Sequence, residues 1–193
     1  MRSTITHAFL LVGLVFFAAR TVAAQSDGNS DDPFARHRWH AEIATQGALE
    51  AWNYNGSHEE LLGLEEGLTY GIRDGLALKL TQRVTYVSQR ANDTWVLGLT
   101  GGVRGRIYRR GGLSVFLGAE LGISDTSIAT PPRGTRFNYL AVGGGGILVR
   151  LRPRLYAVSS LQLTHLSNDN LKGPGRNPDI EAIGLSLGLT LGF

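Results

Sequence analysis

Cysteine is absent from this chain. That excludes a disulfide framework, and it excludes a lipid anchor attached through a cysteine. Proline is sparse, at six residues, and no stretch shows the apolar spacing of an amphipathic helix. Long hydrophobic runs are missing too. The most apolar segment, Ala8 to Ala19, falls short of the ~20 residues a spanning helix needs. Nor does one sign of charge dominate, since 19 Lys and Arg stand against 16 Asp and Glu. Nothing in that balance calls for nucleic acid as a partner.

What is present begins with an export signal. Arg2 opens a short polar start, the apolar segment follows, and Val22-Ala23-Ala24 supplies the small residues of a cleavage site before Gln25. Residues 1–24 are expected to be removed, leaving 25–193 as one domain that opens on a flexible lead-in at 27–33. The 26 glycines are many for an ordinary soluble domain. With so little proline and no helical period, they suggest a closed sheet in which small residues relieve crowding and permit bends.

Alternation of period two runs through the mature chain and predicts strands near 38–49, 59–70, 76–86, 94–107, 113–123, 138–150, 155–168 and 180–193. Tight turns at 71–75, 108–112 and 151–154 alternate with longer loops at 50–58, 87–93, 124–137 and 169–179. An even number of strands with two classes of connection predicts an all-β fold, an eight-stranded antiparallel up-and-down transmembrane β-barrel. Its short turns and both termini would face the periplasm of an outer membrane.

The third strand sets Leu76, Leu78, Leu80, Val84 and Tyr86 against Lys79, Thr81, Arg83 and Thr85. Lysine or arginine facing lipid at the midplane costs about 2–4 kcal/mol, so the charged face must be the inner one. Arg104, Arg106 and Glu120 are expected to pair there. Strand two is less clean, because Glu66 shares the parity of Leu62, Leu64 and Leu68. Trp39, Tyr70, Trp95 and Tyr156 lie near strand ends, where interfacial aromatics belong. The same alternation fits a soluble lipocalin-like barrel with its apolar face inward, but charges on the second face and aromatics at the ends favour the membrane. The last strand alternates without a break to Phe193 and resembles the signal read by barrel-insertion machinery, which is the expected assembly partner.

Three reactive residues share the lipid-facing parity of the last two strands: His165, Ser167 and Glu181. His165 lies ten residues beyond Leu155, about 25 Å in height for a strand tilted near 40°, which is the external rim. Glu181 comes from the antiparallel neighbour at a similar height, where a charge costs only about 0–1 kcal/mol. A serine hydroxyl needs an imidazole to take its proton, and the imidazole needs a carboxylate to orient it. The set predicts ester hydrolysis of an outer-leaflet lipid.

The run His165-Leu166-Ser167-Asn168, followed by Leu171-Lys172, Asn177 and Ile180-Glu181, resembles the lipid A 3-O-deacylase family of the PagL type. The resemblance implies an outer-membrane barrel whose surface site releases a 3-hydroxy fatty acid from lipid A. It makes Ser167 the nucleophile, His165 the base, Glu181 the orienting acid and Asn168 an oxyanion donor. Family members often carry glycine two residues after the motif asparagine, where a backbone amide completes the oxyanion hole; Asn170 stands there in this chain.

Arg133, Arg136, Lys172 and Arg176 fall in outer loops and are candidates for contact with lipopolysaccharide phosphates, against the plainer reading of solvated loop charge. Gly143 to Gly146 suggest a shallow groove below Ser167, with Gly143 or Gly144 facing an acyl chain, against a plainer role in relieving crowding. His37, His40 and His58 lack metal-ligand spacing, and Gly101-Gly102 lack the context of a phosphate loop, so no cofactor is expected. Arginines 109, 110, 150, 152 and 154 cluster at the periplasmic turns, where inner-leaflet phosphates lie. Two alternatives remain on sequence grounds: a non-catalytic barrel serving adhesion or membrane stability, and an outer-membrane phospholipase.

Overall fold

The computed structural model describes residues 32–52, 58–90 and 92–193, so the expected signal segment lies outside the described residues. Eight antiparallel strands follow one another round a closed barrel: β1 Trp39–Glu50, β2 Glu60–Arg73, β3 Leu76–Ser88, β4 Thr94–Arg110, β5 Leu113–Thr130, β6 Thr135–Arg152, β7 Leu155–Ser167 and β8 Ile180–Gly192. Pairing of β1 with β8, from His40 opposite Gly192 to Glu50 opposite Ala182, removes both sheet edges. Every expected strand is present.

The alternation is also the burial pattern. In β8, Ile183, Leu185, Leu187, Leu189 and Leu191 are exposed on the outer wall, while Ala182, Ser186 and Thr190 are buried. An outer surface this apolar is stable only against lipid. Trp39 packs against Tyr70 at the periplasmic end with the rings tilted by 40°, centroids 4.7 Å apart, and Tyr86 meets Trp95 at the outer end at 5.3 Å. Tyr156 departs from expectation. It has the inward parity of β7 and is 4 % exposed, so it packs in the lumen with Phe116, Leu148 and Val158 and takes no part in a girdle.

The midsection of the lumen is filled by charge. Lys79 bridges Glu42 and Glu120 at 3.1 and 3.2 Å, Arg83 bridges Glu65 and Glu120 at 2.9 and 3.0 Å, and Arg104 holds Glu42 with two hydrogen bonds of 2.7 and 2.9 Å. Ser186 and Thr190 donate to carboxylate oxygens of Glu65 and Glu42. Buried ions are tolerated only when paired and hydrogen-bonded in this way. The pairing expected among Arg104, Arg106 and Glu120 is therefore replaced: Arg104 reaches Glu42 across the lumen, and Arg106 leaves the network altogether.

Arg106 instead binds Asp32 at 2.7 Å, and Arg109 binds the same carboxylate at 2.7 Å. Phe34, fully buried, plugs the periplasmic end, with the Arg106 guanidinium 5.3 Å from its ring centroid. The described end of the expected flexible lead-in, Asp32 and Pro33, is thus fixed; 27–31 lie outside the described residues. Burial opposes the Asp32 charge, but the hydrogen bonds from Arg106 and the Phe34 amide and the two nearby guanidinium charges outweigh it and hold the carboxyl below its ordinary range.

Near the outer mouth the lumen turns apolar, with Leu61, Val87, Val96, Leu140, Val142, Leu166, Ile180 and Ala182 in one cluster. The void left among them is about 30 Å³, the space of a single water. The other departure is the expected loop at 124–137. Strands β5 and β6 run through most of it, leaving only a turn at 131–134.

Candidate active site

The outward face of β6 to β8 can be followed row by row through the register. Tyr139 stands opposite Ser167; below them Ala141, His165 and Glu181 form a row; below these come Gly143, Leu163 and Ile183. Because Thr164, Leu166, Ile180 and Ala182 alternate with the reactive residues and are buried inside, those residues ride on a packed wall rather than a loop. This is the support a preorganised site requires.

His165 Nδ1 lies 3.4 Å from Glu181 Oε1, with both side chains partly exposed. Ser167 is 8 % exposed, and its Oγ accepts from the Asp169 amide at 3.4 Å. Among the described residues no hydrogen bond joins His165 to Ser167. Resting sites are often this loose before substrate arrives. With Nδ1 turned to the carboxylate, Nε2 is the nitrogen left for the serine. Asp179 adds a second carboxylate: donor atoms of His165, Asp179 and Glu181 lie within 4.8 Å of one another. Sequence reading missed Asp179. Its parity, two residues before Glu181, was the available signal.

Beyond Ser167 the chain makes a tight turn in which the Leu171 amide donates to the Asn168 carbonyl at 3.1 Å. Asp169 and Asn170 occupy its centre with φ of 49° and 59°. Two consecutive left-handed residues define a type I′ turn, and Asp and Asn are the non-glycine residues that tolerate it. Asn170 therefore adopts the conformation in which glycine is at ease.

The Asn168 side chain is not aimed at Ser167. It is fully buried on the inner side, its Nδ2 donates to the Arg176 carbonyl at 2.5 Å, and its backbone amide donates to Asn177 Oδ1 at 2.9 Å. It straps the β7–β8 connection, including the 3₁₀ turn Pro174–Arg176, to the strand end. An oxyanion contact from this amide would require the strap to break.

The expected basic residues are dispersed. Arg136 is held by Asp125 at 3.2 Å and by the Thr126 carbonyl, Arg176 donates to the Gly134 carbonyl at 3.2 Å, and Arg133 and Lys172 are exposed. The glycines divide by parity. A Cβ on Gly143 would meet nothing within 4 Å, whereas one on Gly144 would come within 2.1 Å of the Leu161 carbonyl. Gly143 faces lipid; Gly144 faces inward and is removed from the expected acyl contacts.

No family model matches the chain, and no curated protein matches it. Solved structures do. OprG from Pseudomonas aeruginosa is 11 % identical, with 82 % of this chain and 97 % of that one covered at a TM-score of 0.55. Neisserial surface protein A is 13 % identical, with 86 % and 100 % covered at 0.56. The outer membrane enzyme PagL is 16 % identical, with 77 % and 97 % covered at 0.54. This chain is a bacterial outer-membrane β-barrel. Identities this low speak to the fold alone, and an enzyme stands among the similar structures beside barrels not described as enzymes.

Proposed function

We propose that this outer-membrane barrel is a serine esterase that removes the 3-O-linked acyl chain of lipid A and releases a 3-hydroxy fatty acid. The observation that carries the reading is the His165 Nδ1 to Glu181 Oε1 approach of 3.4 Å on the outward face at the rim, with Ser167 two residues along the same face. In the first half-reaction Ser167 Oγ attacks the ester carbonyl as His165 Nε2 takes its proton. Glu181 stabilises the imidazolium, and collapse expels the sugar hydroxyl with that proton. In the second, water attacks the acyl-serine by the same route and frees the fatty acid.

The developing oxyanion lies beside Ser167 Oγ, where the Asp169 amide already points and the Asn170 amide follows in the same turn. Preorganised backbone donors of this kind are worth about 2.7–4 kcal/mol apiece. Asn168 then acts as the strap that holds the turn, a positioning role in place of the donor role implied by the family resemblance. Below the ester, Gly143 opens the column in which the scissile chain descends, and Arg133 and Lys172 are the exposed cations available for the lipid A phosphates.

Lipid A mass spectrometry from cells expressing wild type or Ser167→Ala tests this reading. Loss of one 3-hydroxyacyl group in wild type only is the expected result; a loss confined to the phospholipid pool would assign a phospholipase. The second reading, a non-catalytic barrel, draws on OprG and neisserial surface protein A sharing the fold as well as PagL does. Failure of a fluorophosphonate to label Ser167 in folded protein would favour it.

A further inference from the structure

A hollow of about 550 Å³ lies on the other flank of the site, walled by Gly47, Leu49, Leu62, Leu161, Ile183 and Leu185. Its floor is Gly47, where a Cβ would meet nothing within 4 Å. Leu62 and Leu185 flank Gly47 in register on either side, and both stand more than half exposed. The hollow is therefore a gap in an otherwise continuous apolar wall, in the size range of small-molecule sites, ~300–1,000 Å³.

Depth and continuity say what occupies it. Gly47 is three residues below the outer end of β1, about 7 Å in height and inside the hydrocarbon layer for a strand tilted near 40°. At the level of Gly47 the flanking walls are leucine and isoleucine, so this part of the hollow takes a hydrocarbon chain. Ile183 is the next outward residue after Glu181 on β8, which puts the hollow directly beneath the carboxylate that faces His165. At its outer edge Glu60 and Ser88 stand opposite each other in register. They offer an acceptor and a donor to the amide, ester or hydroxyl from which a chain hangs.

Resting on the esterase reading above, we propose that this hollow seats a second, uncleaved acyl chain of the substrate molecule whose scissile chain descends along Gly143. Gly143 lies on β6 and the Gly47 floor on β1, three strand spacings apart through β7 and β8, roughly 14 Å, with the hollow's near wall at Leu161 on β7. Two chains on one glycerol sit side by side and do not span that separation. A headgroup as wide as an acylated disaccharide does. Reaching the Gly47 floor thus favours a multi-acyl lipid over a glycerophospholipid.

The test fills the hollow. Gly47→Phe and Gly47→Leu point into open space on the lipid side, so both should fold, read as heat-modifiable migration; Gly47→Ala leaves most of the volume free. Rates are compared in detergent micelles on hexa-acylated lipid A and on a short p-nitrophenyl ester. The expected result is a fall on lipid A of roughly ten- to hundredfold for Gly47→Phe, carried by KM, with Gly47→Ala unchanged and the small ester hydrolysed at the wild-type rate by all three. A wild-type rate of Gly47→Phe on lipid A overturns the second-chain site and leaves the esterase reading standing. Absence of Ser167-dependent hydrolysis of either substrate by wild type overturns both.

Discussion

His165 offers two nitrogens with different surroundings, and the division of labour between them governs what each side chain should do when removed. Ser167→Ala and His165→Ala are expected to lower ester hydrolysis by roughly 10³-fold or more. Both variants should keep the barrel's heat-modifiable migration, because neither side chain contributes to the lumen. Glu181→Ala should be milder than His165→Ala, since Asp179 is within reach of the imidazole. The double variant lacking both carboxylates should fall to the His165→Ala level, and equal rates for the single and double variants would remove Asp179 from the site. At Asn170, with φ of 59°, glycine should preserve activity. Valine, destabilised by about 1–2 kcal/mol in the left-handed region, should distort the turn and lower kcat. A wild-type rate in Asn170→Val would detach the turn from catalysis.

Strand β6 carries glycines for two different reasons, and adjacent substitutions separate them. Gly144→Ala drives a methyl into the β7 backbone and should impair folding, while Gly143→Phe should fold and shift preference towards shorter acyl chains. Identical rate ratios over a chain-length series would show that Gly143 does not border the scissile chain. The segment before β1 supplies the pH-dependent element. The folded-state pKa of Asp32 is depressed by Arg106 and Arg109 against the cost of burial, so its contribution is complete above the ordinary carboxylate range and lost as pH falls through the lowered value. The stability gap between wild type and Asp32→Asn, about 1.5–3 kcal/mol at neutral pH, should close only on acidification below the ordinary range. Urea midpoints measured across that range check it, and a gap that persists under full protonation would deny the ion pair its role.

These elements also explain what the sequence made legible. Period-two alternation marks a strand only where lipid demands one apolar face. Above the membrane that demand ends, so Ser124 to Thr130 read as loop although the backbone goes on pairing. The approach of His165 to Glu181 was readable because parity and register are local to two adjacent strands. The partner of Arg104 was not, since Glu42 lies across the lumen at a sequence separation of 62, and the closed barrel's geometry decides who meets there. Tyr156 was misassigned by position near a strand end although its even number already gave it the inward parity. The apolar plug of Leu61, Val87, Leu166 and Ile180 went unseen because the inner face was read from its charged residues.

On the scale of the whole molecule, a filled lumen makes the barrel a rigid post with the candidate site on its outer wall. Three cations and three carboxylates, Lys79, Arg83, Arg104, Glu42, Glu65 and Glu120, interlock in the middle. Arg83→Met would leave the buried Glu65 without its cation while Glu120 keeps Lys79, a loss of about 3–5 kcal/mol, and should lower the urea midpoint of unfolding while leaving the rate of the folded fraction intact. A loss of activity without loss of stability would mean that the network does more than hold the wall. The apolar cluster at the mouth and Phe34 at the base occupy the two ends of the lumen, so on the esterase reading proposed above the substrate arrives from the outer leaflet along the lipid-facing surface. Mass spectrometry of lipid A from cells expressing wild type beside Ser167→Ala meets that claim most directly. The expected spectrum shows a species lacking one 3-hydroxyacyl chain in wild type and none in the variant; identical lipid A profiles from well-folded, equally abundant proteins would contradict it.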